Sequence, residues 1–170
     1  MAANRAGTVF RWVLMVAVIG AYSDRVVTGE NAAGYTIELW QDEAQAFGFF
    51  RGAAGLAEDT PTGLLENVRY DAKDKTLSFK AKLSMGLATI DGQNWVPTRD
   101  IYQFEGTLYP DQITGHLIHL NALEPKQPAR HQKVTMYRLK DEAAAMARPA
   151  TYKEWLEMAD RVLQARGPKW

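Results

Sequence analysis

DIYQFEGTLYPDQITGHLIHLN, residues 100–121, reads as a long β-hairpin that turns at Pro110-Asp111. In the register about that turn, Leu108 faces Ile113, Gly106 faces Gly115, Phe104 faces Leu117 and Tyr102 faces His119. The intervening pairs, Glu105 with His116 and Thr107 with Thr114, are mostly polar. Side chains alternate faces along a strand, so burial selects the register that matches apolar to apolar on one side.

The same alternation extends in both directions. Tyr35 to Trp40 has period two, and Gln45 to Ala53 sets Phe47 and Phe49 on one face against Gly48 and Gly52 on the other. Glycines inside a strand mark a bend or bulge. Leu64–Asp71 and Thr76–Leu83 form a second hairpin, in which Asp71 opposite Thr76 puts Tyr70 against Leu77 and Val68 against Phe79. That register also puts Glu66 on the apolar face, which leaves three solutions open: a rim position, a bulge or an inward carboxylate. Ser84 to Arg99, with Gly86, Gly92, Trp95 and Pro97, holds a short strand over Leu87–Ile90 and an open loop. His131 to Leu139 is the last strand. Beyond Lys140 the period becomes helical: a short helix stops at Pro149, and Thr151 with Glu154 caps a second that ends at Gly167-Pro168.

At 170 residues the chain has room for one domain with a sizeable core. Its formal net charge of zero argues against a nucleic-acid partner, which calls for a basic excess or stripe. With no cysteine there is no disulfide framework, thiolate metal site or thiol nucleophile. Arg5 and Arg11 precede the apolar run Trp12–Tyr22, and Ala21-Tyr22-Ser23 offers small residues at a cleavage site. The pattern is that of a secretory signal peptide over residues 1–23, too short for a permanent membrane span; the alternative is an uncleaved apolar leader that acts as an anchor. The expected organisation is then a linker at 24–34, a β-barrel domain at 35–140 and a helical segment at 141–170. The protein would be exported, to the periplasm or outside the cell.

Seven or eight strands with short turns favour an up-and-down meander closed into a barrel, since closure removes exposed edges. Phe47, Phe49, Val68, Phe79, Tyr102 and Phe104 would point inward. Ile101, Ile118, Leu120, Tyr137 and Leu139 would point outward and need a cover, supplied by the amphipathic C-terminal helix. An open sheet wrapped on that helix is the second arrangement. With its strand phrases Leu77-Ser78-Phe79 and Phe104-Glu105-Gly106-Thr107-Leu108, the run Tyr35–Leu139 resembles the calycins, the lipocalin-like small barrels, and secreted bacterial β-barrel domains. The resemblance implies a ligand cavity.

The candidate ligand-binding residues are Phe49, Phe79, Tyr102, Phe104 and His119, an apolar pocket with an imidazole and a phenol to orient the ligand. His116 and His119, three apart on a strand, face opposite sides and do not chelate one ion, so no metal site and no cofactor are expected. There is no phosphate loop or nucleophile elbow, and no catalytic residue is assigned. The first functional reading is an exported barrel that binds a small apolar or amphipathic ligand. The second is a packed barrel that holds a cell-envelope protein through its surface or through the C-terminal helix with Trp155 and Trp170. The third is an enzyme that uses Tyr102 and His119 as an acid/base pair.

Overall fold

The computed structural model describes residues 15–90 and 92–170. Twelve strands precede two helices: β1 (Ala17–Ser23), β2 (Val26–Thr28), β3 (Asn31–Gln41), β4 (Ala46–Leu56), β5 (Thr62–Leu64), β6 (Glu66–Asp71), β7 (Thr76–Leu83), β8 (Leu87–Ile90), β9 (Asn94–Pro97), β10 (Asp100–Leu108), β11 (Gln112–Asn121), β12 (Arg130–Arg138), α1 (Lys140–Ala145) and α2 (Tyr152–Arg166). Nine strands follow one antiparallel path, β5-β4-β3-β1-β12-β11-β10-β7-β6, with β2 paired to β3 beside it, and β8–β9 form a separate hairpin.

The sheet curls into a nearly closed barrel, with more strands than the seven or eight expected and an order that is not a simple meander. Its two ends are β5 and β6, which are neighbours in sequence. The first half of this broken strand pairs with β4, the second half with β7, and Leu65 between them donates to the Gly48 carbonyl at 2.9 Å. Gly63 lies directly against the carbonyl of Lys82 on β7, where a Cβ would collide with it. The partner change at Leu65 brings the two ends of the sheet together.

β1 sits inside the sheet, with β3 on one side and β12 on the other. Ala17–Ser23, the second part of the expected leader, is therefore strand; residues 1–14 of that leader lie outside the described residues. The expected linker at 24–34 holds β2 and the start of β3. The physical reason is that an apolar run ending in small residues suits a buried strand as well as a leader. Ala21 and Tyr22 are both buried, on opposite faces of the sheet.

The main hairpin has the expected register throughout. In the β6–β7 hairpin the open question at Glu66 is answered by a bulge. Arg69 pairs with Ser78 but Glu66 with Lys80, Asn67 takes a positive φ of 52°, and Glu66 turns to solvent 3.9 Å from the Lys82 ammonium. Loop 84–99 is more ordered than expected, because Asn94–Pro97 pairs with Leu87–Ile90.

Thr151 caps α2 by accepting from the Glu154 amide at 3.2 Å. The helix covers the outer face, as expected, but over other residues. Trp155 packs on Phe47 and Phe49 with ring centres 4.7 and 5.3 Å away, and Trp40 lies 5.8 Å off. Of the outward set, Leu139 joins this layer, while Ile101, Ile118 and Leu120 stay half-buried elsewhere and Tyr137 is 60 % exposed. β12 lies next to β1, so a helix that follows β12 folds back over β1, β3, β4 and β5.

Candidate functional site

Cross-strand pairing brings four of the five expected ligand residues into the barrel. Tyr102 stacks on His119, directly opposite, at 4.7 Å and 13°. Two residues on, Phe104 stacks on Phe79 of β7 at 5.2 Å. Phe49 does not join them. It lies on the outer face, 1 % exposed, under Trp155.

The interior place belongs to Phe50, 5.2 Å from Tyr102 and 5.6 Å from Phe79. The face of β4 is thus the reverse of the expected one. Phe47 and Phe49 point out, and Gly48, Phe50 and Gly52 point in. A Cβ at Gly52 would come within 2.6 Å of Met85 Sδ, so the glycines mark a lack of room inside.

A carboxylate anchors this end of the barrel. Asp100, 5 % exposed, has Oδ1 2.7 Å from His119 Nε2, while Oδ2 accepts from the Thr98 hydroxyl at 2.5 Å and the Met85 amide at 3.1 Å. These contacts tie both ends of the segment carrying β8–β9 to β11. The sequence reading missed Asp100, although the signal was there: it precedes Tyr102 by two residues and so shares its face.

Burial, first of all, raises the Tyr102 hydroxyl above the usual tyrosine range; the nearby Tyr35 and Asp100 add to this and Arg130 opposes it. Tyr35 is raised for the same leading reason, with partial relief from its hydrogen bond to Tyr102. Both phenols are therefore protonated at neutral pH, and Tyr102 is a hydrogen-bonding group rather than a base. Among the described residues no hydroxyl is hydrogen-bonded to His119, and no three histidine, aspartate or glutamate side chains are grouped to hold a metal ion. The Asp100–His119 pair works as a latch on the hairpin.

The interior around these rings is filled: Tyr102 is 3 % exposed, and Ile37, Leu39, Leu83 and Met136 are fully shielded. One open cleft lies at the latched end. It holds about 550 Å³ and separates the β8–β9 hairpin from the turn after β11, lined by Leu87, Ile90, Trp95, Asn121, Leu123 and Glu124. Trp95 is 68 % exposed there.

No family model, curated protein or solved structure matches the chain. The likeness to calycins rests on strand pattern alone.

Proposed function

We propose that the chain is a binding protein whose small apolar or amphipathic ligand sits at the mouth of the barrel, between the β8–β9 hairpin and the turn after β11. The observation that carries this reading is Trp95. A large aromatic ring stands in solvent on a hairpin that a buried carboxylate holds in place, beside a cleft of about 550 Å³. Ligand sites are of this size, roughly 300–1,000 Å³, and combine apolar lining with a few fixed polar groups. Leu87, Ile90 and Leu123 provide the lining; the Asn121 amide, 3.2 Å from Glu124, provides the polar end. The filled interior argues for the mouth over the lumen.

Titration with an undecanoic acid carrying a dansyl group tests this. The full chain should give saturable fluorescence enhancement that Trp95→Ala abolishes and His119→Gln largely preserves. Wild-type affinity in the Trp95 variant would refute the mouth site.

An envelope protein partner is the second reading, favoured by the exposure of Leu87 and Trp95. The C-terminal helix offers it less than the sequence suggested, because Trp155 is buried and the Trp170 indole donates to the Leu83 carbonyl at 3.1 Å. Export stays within the proposal, with any cleavage placed upstream of Ala17, since Ala17–Ser23 is part of the sheet.

A further inference from the structure

We infer that a second cleft, on the outer face of the sheet and distinct from the mouth, takes a small zwitterion of amino-acid or dipeptide type. Strand pairing builds its floor. Ser23, Thr36 and Arg51 lie side by side across β1, β3 and β4, and Ala21 and Glu38 form the next row. The floor is prearranged: the Ser23 and Thr36 hydroxyls are 2.8 Å apart, and an Arg51 guanidinium nitrogen is 3.0 Å from Glu38 Oε2. The cleft holds about 690 Å³, and Arg25, Glu58, Glu142 of α1 and Arg166 of α2 also line it.

The charges are balanced in number but not in pairing. Three guanidiniums and three carboxylates line the cleft, and among the described residues only Arg51 and Glu38 form an ion pair. Arg25 donates to the Ala57 carbonyl at 2.6 Å, which orients it without neutralising it. The Nε–H of Arg51 is buried and has no partner among the described residues. A recess with a fixed floor and unpaired charges of both signs suits a molecule that carries both. Its carboxylate would meet the arginines, and its ammonium would meet Glu58 or Glu142. A singly charged ligand would satisfy one set only. Arg25, Glu58, Glu142 and Arg166 are all exposed, so solvent screens each contact and binding is expected to be weak.

The test is a ¹H–¹⁵N titration of the full chain with glycylglycine, read at the Arg51 Nε–H resonance, a shielded reporter inside the site. A saturable shift is expected. N-acetylglycylglycine and glycylglycinamide, each lacking one charge, should bind about tenfold more weakly. Arg25→Gln and Glu142→Gln should each weaken glycylglycine binding several-fold while leaving the urea midpoint unchanged. Absence of a saturable shift at millimolar dipeptide, or equal binding of the capped and free forms, would overturn the inference. Dansyl-undecanoate binding is read separately and reports only on the mouth.

Discussion

His119 and Asp100 meet diagonally across β10 and β11, Nε2 to Oδ1 at 2.7 Å, while the imidazole face lies on Tyr102. A single carboxylate thus joins a barrel strand, the His119 ring and both ends of the hairpin segment.

Asp100→Ala should therefore destabilise the fold by about 3 kcal/mol, because hydrogen bonds to a charged group are lost and buried donors are left without partners. Urea denaturation reads the loss, and amide exchange over residues 84–99 should accelerate more than in β10 and β11. An unchanged midpoint would count against the latch.

Alkaline pH should unfold the protein through its buried phenols. Tyr22, Tyr35 and Tyr102 are all raised above the ordinary value of 10.0, chiefly by burial. Above that pH the unfolded chain releases these protons before the folded one does. Their contribution is complete below pH 10.0 and is lost as the pH rises toward the folded-state values. Absorbance at alkaline pH should show these tyrosines titrating only with unfolding, and Tyr102→Phe should make the stability loss shallower.

Phe104→Trp probes the filled interior. The Phe104 ring lies over the facing glycines Gly106 and Gly115, where a Cβ would come within 2.6 and 2.7 Å of its Cζ. An indole has no room there, and overpacking should cost about 1–3 kcal/mol. Unchanged stability in thermal or urea melts would mean that the lumen has spare volume.

Trp155→Ala should cost about 3–5 kcal/mol, since the ring is the hub between α2 and the Phe47–Phe49 face. Its Nε1 is buried and has no partner among the described residues, so Trp155→Phe should be far milder. Trp40→Phe should be the costlier conservative change of the two, because Trp40 Nε1 donates to the Ala147 carbonyl at 2.9 Å. Comparing the two phenylalanine variants by calorimetry checks the ordering.

Deleting residues 1–23 removes β1 and leaves the facing edges of β3 and β12 open. Exposed edges invite association between chains. The truncated chain should lose its cooperative melt and aggregate on size exclusion; a monomer with the full-length midpoint would show that β1 is dispensable.

Much of the fold was legible because it is local or periodic. Thr151 and Glu154 mark a helix start through a contact three residues apart, and Asp100–Asn121 sets its own register by matching apolar pairs about one turn. The pairing of Tyr102 with His119 follows from that register. Asp100 was equally derivable from parity. Its Met85 and Thr98 partners were not, because they depend on how the 84–99 segment folds back.

Alternation by itself marked most of the long strands and the register of the main hairpin, and helical spacing marked the helix that covers the sheet. The tertiary structure alone decided that Phe49 lies outside and Phe50 inside, that Ala17–Ser23 is a strand between β3 and β12, and where the clefts lie. The reason is that this barrel is apolar on both faces of β4, one toward the lumen and one toward α2. Hydrophobicity does not distinguish two dry environments; the space available around Gly52 and the closure at Gly63 do.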